Sequence, residues 1–145
     1  MGRSKIVFRD AGLASELSGF DAAGLEGAIA SPLTGGLVEN FAVAELLKQQ
    51  AWSTVGYSVS HFRDRDGHEV DIVLESRRGD IVGVEVKATT SVGRNHFKGL
   101  RFLQDKVPDR FRAGIVLHLG KECHRFGPGL WALPLASLWS RSRVG

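Results

Sequence analysis

Two strand-like segments, separated by a five-residue turn, constrain the fold of this chain more than any other feature. The first is HEVDIVLE, His68–Glu75, and the second is IVGVEVKA, Ile81–Ala88. Apolar, mostly β-branched residues alternate with charged ones along the first and with Glu and Lys at the end of the second. The turn between them, SRRGD, contains Gly79, which is free to adopt a positive φ. The pattern predicts a β-hairpin.

Side chains alternate between the two faces of a strand, which predicts the residues that lie together on each face of the hairpin. One face is apolar and is expected to pack on the core: Val70, Ile72, Leu74, Val82, Val84 and Val86. The other face carries the charges: Glu69, Asp71, Val73, Glu75, Ile81, Gly83, Glu85 and Lys87. Because both apolar sets pack on one core, the pairing register can shift only by an even number of residues.

One register consistent with the turn brings carboxylates together. It pairs Glu75 with Ile81, Val73 with Gly83, Asp71 with Glu85, and Glu69 with Lys87, although a slip of two residues also satisfies the pattern. Like charges directly opposite each other destabilise a sheet. A divalent cation would offset the repulsion, because Mg²⁺ and Mn²⁺ prefer hard oxygen ligands.

The neighbouring residues allow two interpretations. In the first, Lys87 orients a water or stabilises an anionic transition state beside the metal, and Gly83 leaves room for a ligand. In the second, the hairpin is half-exposed with its charges in solvent, and Glu69 forms an ordinary cross-strand ion pair with Lys87. The spacing of the residues leaves both open.

The rest of the pattern predicts a single domain, residues 1–145, of the α/β or α+β class with a mixed central sheet. The strongest helix, Leu37–Trp52, is expected to turn Leu37, Phe41 and Ala44 inward. The other expected elements are, in chain order, a strand at Lys5–Phe8, a helix at Ala11–Leu17, a strand at Tyr57–Phe62, a helix at Asn95–Lys106, a strand at Ala113–Leu119, a short strand at LWAL and a helical turn at PLASLWS.

Composition restricts the function classes only weakly. A net charge of +3 with a pI near 9.4 permits a nucleic-acid partner without requiring one. No apolar run approaches the roughly 18 residues of a membrane span, no signal peptide is recognisable, and a cytoplasmic location is expected. His118, Cys123 and His124 are too few, at the wrong spacing, for a zinc site, so Cys123 is expected to be a buried thiol.

An Asp on one strand and Glu-x-Lys on the next, after a helix that carries a Glu, resemble the PD-(D/E)XK nuclease superfamily. More narrowly, the chain is similar to the domain of unknown function 4143, which is typically the C-terminal module of bacterial and archaeal AAA-type ATPases. The segments that carry the resemblance are FRDAGL at Phe8–Leu13, GGLVENFAVAEL at Gly35–Leu46, HFRDRDGHEVDIVLE at His61–Glu75 and IVGVEVKA at Ile81–Ala88.

The resemblance implies a restriction-endonuclease-like core and the metal-dependent hydrolysis of DNA phosphodiesters. It implies that Asp71 and Glu85 hold Mg²⁺ or Mn²⁺, with the main-chain carbonyl of Val86 as a further ligand. Glu39 would approach the same site from the helix, and Lys87 would help to activate the attacking water. From the spacing alone, Glu39 is equally compatible with a surface position, because it lies off the expected apolar side of its helix.

The predicted partner is an ATPase domain or subunit acting in trans. The chain contains no G-x-x-x-x-G-K-[ST] phosphate loop, so an ATP-coupled function cannot lie in these residues. The alternative to an enzyme is a non-catalytic module that docks nucleic acid or protein for the ATPase. In that case the acidic cluster is a relic or a structural metal site.

Overall fold

The computed structural model describes residues 32–138, which form a six-stranded mixed sheet with a helix packed on each face. The helices are α1 (Pro32–Gln50) and α2 (Lys98–Lys106), and the strands are β1 (Tyr57–Arg63), β2 (Glu69–Ser76), β3 (Ile81–Val86), β4 (Phe111–His118), β5 (His124–Gly127) and β6 (Leu130–Pro134). Two 3₁₀ turns, Arg94–Phe97 and Leu135–Leu138, complete the described part. The predicted strand Lys5–Phe8 and helix Ala11–Leu17 lie outside it.

The strand order, β1-β2-β3-β4-β6-β5, confirms the predicted mixed sheet. β1, β2 and β3 form an antiparallel meander, β3 pairs with β4 and β4 with β6 in parallel, and β5 pairs antiparallel with β6. A parallel pair needs a crossover connection, and the segment that contains α2 supplies it between β3 and β4. None of the helices in residues 32–138 has the length and apolarity needed to cross a membrane.

The sheet buries apolar side chains on both faces, so the half-exposed hairpin is wrong for β3. The core under α2 includes Val70, Val73, Ile81, Phe97, Leu100 and Leu103. The core under α1 includes Val38, Ala42, Leu46, Ile72, Val84 and Val86. Each fully buried aliphatic side chain contributes about 1.5–3 kcal/mol to the free energy of unfolding, and these two layers hold the hairpin between the helices.

The prediction for the inward side of α1 is confirmed in part. Leu37 and Ala44 are buried as predicted, but Phe41 is only half-buried. The residues of α1 that contact the sheet core are Val38, Ala42 and Leu46, spaced four residues apart. The helix is apolar around most of its circumference, so its periodicity does not select one stripe. Contact with β3 and the neighbouring strands decides which stripe is covered.

A bulge in β2 breaks the alternation predicted for the hairpin. Between the pairs Ser60–Val73 and Phe62–Val70, β1 contributes one residue and β2 contributes two, Asp71 and Ile72. One extra residue moves every side chain beyond it to the opposite face of the sheet. Val70 therefore joins Val73 in the core under α2, instead of joining Ile72 as predicted. Bulges are common next to active sites because they redirect a side chain, and this one lies at Asp71.

Two glycines allow α2 to approach the sheet closely. A Cβ on Gly83 would lie 2.7 Å from Leu100 Cδ2, so α2 fills the space beside Gly83. The first interpretation of the sequence, in which Gly83 leaves room for a ligand, is therefore wrong at this position. A Cβ on Gly99 would overlap the main-chain carbonyl of Glu69, and it would lie 3.4 Å from Glu85 Oε1. Gly99 thus brings the first turn of α2 against β2 and the Glu85 carboxyl.

We expect Gly99→Ala to destabilise the fold by about 1–3 kcal/mol, because the new methyl group meets main chain that cannot move aside. The measurement is the free energy of unfolding in urea. Gly36→Ala in α1 is the matched control, since no described atom lies within 4 Å of its added Cβ. This control is expected to stabilise the helix by up to about 1 kcal/mol. Equal stabilities of the two variants would contradict the close approach of α2.

Candidate functional site

The pairing of β2 with β3 ends at the point where two carboxyl groups converge. It runs from Glu75–Ile81 through Val73–Gly83, as predicted, and stops at Ile72–Val84. The predicted pairing of Asp71 with Glu85 does not continue this ladder. Instead, the main-chain N–H of Val86 donates to Asp71 Oδ2 at 2.9 Å, and the N–H of Asp71 donates to Glu85 Oε1 at 3.3 Å. Side-chain oxygens therefore take the place of the main-chain acceptors at the bulge.

The same geometry aims a main-chain carbonyl at the carboxylates. In an extended strand, the N–H and C=O groups of one residue point to the same edge. The N–H of Val86 faces Asp71 in β2, and the N–H of Lys87 faces β4, where it donates to Leu117 O at 2.9 Å. The carbonyl of Val86 consequently points to the edge of β3 that Asp71 occupies.

Glu85 is a buried carboxyl, with only 6% of its surface exposed. The pKa of Glu85 is raised from the ordinary 4.5 to about 8, mainly by burial and also by the charge and hydrogen bond of Asp71, while Lys87 opposes the shift. Burial disfavours the ionised form because the protein interior solvates a charge less well than water does. Without a cation, Glu85 therefore keeps its proton at neutral pH.

Lys87 lies just past the end of β3 and partly compensates this acidic pair. Its Nζ is 3.3 Å from Glu85 Oε2, and 39% of its side chain is exposed. This contact places a cationic donor beside the two carboxyl groups.

These three side chains line a cleft of about 440 Å³ on the α2 side of the sheet. Its walls are formed by residues 66–69, 71, 85, 87, 95, 96, 98 and 99. Carboxylates occupy the wall made by the β1–β2 loop and β2, whereas the wall made by the 3₁₀ turn and the start of α2 carries Asn95, His96 and Lys98. The cleft is therefore acidic on one side and rich in nitrogen donors on the other.

The β1–β2 loop is held against α2 by His68. Its Nδ1 lies 2.8 Å from Asp64 Oδ2, and its ring stacks on Phe102 with 3.8 Å between ring centroids. Asp64 Oδ1 also accepts the N–H groups of Asp66 and His68. The contacts of the His68 ring therefore support the structure of the loop.

The structure brings Asp71, Glu85, Val86 and Lys87 together, but Glu39 is not among the described residues that line the cleft. Glu39 is half-buried on α1, the helix that covers the other face of the sheet. Sequence reasoning missed the contribution of Asn95, His96 and Lys98. These residues follow the Glu-x-Lys strand by 8–11 positions, and only the packing of α2 returns them to its end.

The donor set fits a hard divalent cation. Within residues 32–138 no three His, Cys, Asp or Glu side chains are arranged as metal ligands. Mg²⁺, however, usually keeps several waters and binds one or two carboxylates, which Asp71 and Glu85 can supply with the Val86 carbonyl. Two adjacent carboxyl groups, one of them protonated because it is buried beside the other, gain most from a cation that lets both ionise.

The second group of candidate ligands does not form a metal site among the described residues. The buried ring of His118 is occupied on both nitrogens: Nδ1 accepts the N–H of Gly120 at 2.9 Å, and Nε2 lies 3.0 Å from the carbonyl of Glu122. Cys123 is exposed, so the predicted buried thiol is wrong. The thiol lies in the β4–β5 connection.

Comparison with known proteins identifies a family. A family model described as a domain of unknown function (DUF4143) matches residues 34–138, which include the sheet, both helices and the cleft. Neither curated proteins nor solved structures give a match to the chain.

Proposed function

The chain belongs to the domain of unknown function (DUF4143) family, and we propose that it hydrolyses DNA phosphodiesters with Mg²⁺ or Mn²⁺ as cofactor. The observation that carries the proposal is the convergence of Asp71, Glu85 and Lys87 where the β2–β3 ladder ends. Two carboxylates and a lysine at the end of a hairpin are the groups that such a reaction needs.

Asp71 and Glu85 would hold the metal, with the Val86 carbonyl as a further ligand. A bound cation at this position supplies Lewis acidity and lowers the pKa of a water molecule. The Val86 N–H orients the Asp71 carboxylate through its 2.9 Å hydrogen bond, and the Asp71 N–H orients Glu85. The main chain of the bulge thereby fixes the directions of both ligands. The predicted role of Glu39 stays a prediction.

Lys87 positions the attacking water and stabilises the developing negative charge on the phosphate. Its ammonium lies 3.3 Å from Glu85 Oε2, and its partly exposed side chain lines the cleft. A fixed cation beside a reacting phosphate lowers the barrier because charge accumulates on the phosphate oxygens in the transition state. The nitrogen donors on the opposite wall favour an anionic substrate in the same cleft.

Lys87→Met is expected to reduce Mg²⁺-dependent cleavage of linear DNA by about 100-fold, because a transition-state donor is lost. The measurement is the single-turnover cleavage rate, with EDTA as the metal-free reference. Metal binding by calorimetry is expected to persist at pH 9. A high pH is needed because the loss of Lys87 raises the pKa of Glu85 further, and the Glu85 carboxyl must lose its proton before it can bind the metal.

The matched control is Lys106→Met, which removes an exposed lysine from the far end of α2. Full activity of Lys87→Met would reject the catalytic assignment. The non-catalytic docking alternative predicts a different result, namely that wild-type protein binds DNA or a partner protein but does not cleave DNA with either metal. An ATPase acting in trans stays a prediction, which a pull-down with an ATPase of the same organism would test.

A further inference from the structure

The cleft has a wall of nitrogen donors that the metal-binding residues do not use. Asn95 and His96 lie in the 3₁₀ turn Arg94–Phe97, and Lys98 begins α2. Phe97, which is fully buried between them, anchors this turn in the core under α2. The donor wall is therefore held rigidly opposite Asp71 and Glu85.

The orientation of the His96 ring is defined by a hydrogen bond to the main chain. The main-chain N–H of Gly93 donates to His96 Nδ1 at 3.1 Å, and the N–H of His96 returns a hydrogen bond to the Gly93 carbonyl at 3.1 Å. A ring nitrogen that accepts a hydrogen bond carries no proton, so in the neutral ring the proton is on Nε2. With Nδ1 turned back to Gly93, the Nε2–H edge is left to face the cleft.

We infer that His96 is a neutral hydrogen-bond donor that binds a non-bridging phosphate oxygen of the DNA strand through Nε2–H. The inference rests on the proposed function and identifies how the same cleft recognises its substrate. Lys98, the first residue of α2, supplies a positive charge that attracts the phosphate, while the hydrogen bond from His96 orients it. Lys98 and His96 would then contact the phosphate directly, and Asp71 and Glu85 would act on it through the metal.

A neutral ring suits this position. Burial, and to a smaller extent the positive charge of Lys87, lower the pKa of His96. A protonated ring would carry a proton on Nδ1 as well. The Gly93 N–H already points at Nδ1, and two N–H donors cannot form a hydrogen bond with each other. The role of His96 therefore differs from that of a lysine, since it binds phosphate without a net charge.

Two substitutions of His96 distinguish its binding of phosphate from its support of the 3₁₀ turn. His96→Asn keeps an acceptor at the place of Nδ1 but cannot reach as far as Nε2. His96→Gln reaches the place of Nε2 with an amide N–H. The probe is a short fluorescein-labelled DNA duplex, whose affinity is measured by anisotropy with Ca²⁺, which takes the same oxygen ligands as Mg²⁺.

We expect His96→Asn to weaken binding about tenfold, as the loss of a hydrogen bond to a charged group predicts, and His96→Gln to retain most of the affinity. Both are expected to leave the dependence of affinity on salt unchanged, because no charge is removed. Lys98→Gln is the contrasting variant, and it should lower the slope of log affinity against log salt by about 0.9. His124→Asn, an exposed histidine outside this cleft, is the matched control.

Wild-type affinity in His96→Asn would overturn the inference. Equal weakening in His96→Asn and His96→Gln, with equal losses of thermal stability, would also overturn it and assign His96 to the turn alone. If the wild-type protein binds DNA but does not cleave it with Mg²⁺ or Mn²⁺, the hydrolytic function fails while the role of His96 stands. Absence of DNA binding by the wild-type protein would overturn both.

Discussion

Asp71→Asn is expected to abolish metal-dependent cleavage of DNA, with a loss of more than about 1,000-fold. The asparagine keeps one oxygen that can accept the Val86 N–H, so the bulge is retained, but the charge that binds the cation is gone. A catalytic metal supplies several kcal/mol of transition-state stabilisation, and each 1.4 kcal/mol changes the rate tenfold. The measurements are the cleavage rate and Mn²⁺ binding by calorimetry, and both should disappear together.

The control for this substitution is Asp105→Asn, which removes an exposed carboxylate from α2. It should leave both cleavage and metal binding unchanged. Saturable Mn²⁺ binding that persists in Asp71→Asn would show that the metal site lies elsewhere. Cleavage that persists without metal binding would reject the hydrolytic mechanism proposed for Asp71 and Glu85.

The stability of the metal-free protein is expected to fall as the pH rises from about 4.5 to about 8, because over this range the unfolded chain has lost the Glu85 proton that the folded protein still binds. In the unfolded chain Glu85 ionises near its ordinary pKa of 4.5, whereas burial raises the pKa in the folded protein to about 8. Between these values the folded state binds more protons, so a rise in pH favours unfolding. The contribution is complete below pH 4.5 and is lost above pH 8.

Glu85→Gln should remove this pH dependence and stabilise the metal-free protein at pH 8 by an amount on the order of a few kcal/mol. The measurement is urea unfolding in EDTA at several pH values. Glu75→Gln is the control on the same hairpin, since its exposed ion pair with Arg110 contributes at most about 1 kcal/mol. Addition of Mg²⁺ at pH 8 should stabilise the wild type and leave Glu85→Gln unchanged. A wild-type stability that is flat from pH 5 to pH 8 would contradict the buried position of Glu85.

The part of the hairpin nearest its turn was predictable. The pairs Glu75–Ile81 and Val73–Gly83 follow from the length of the turn, because a short connection restricts the register of the strands it joins. The bulge at Asp71 was not predictable from alternation. It depends on Val70 and Val73 both packing under α2, which is a property of the core and not of the strand.

Two other elements show why local patterns were insufficient. β5, His124–Gly127, has no β-branched residue and was not predicted as a strand, and it is ordered by pairing with β6. Trp52 has a large aromatic side chain of the kind that usually packs in a core, but it is 72% exposed. In both cases the environment, and not the residue type, decides the outcome.

The sequence by itself determined the chemical groups and their order along the chain. Asp71 on one strand and Glu85 and Lys87 on the next could be recognised without a structure, because strand geometry and a short turn are local. Only the tertiary structure decided the pKa of Glu85, the filling of the space at Gly83, and the position of His96. These three depend on how α2 packs on the sheet, and burial and charge are set by neighbours that are distant in the chain.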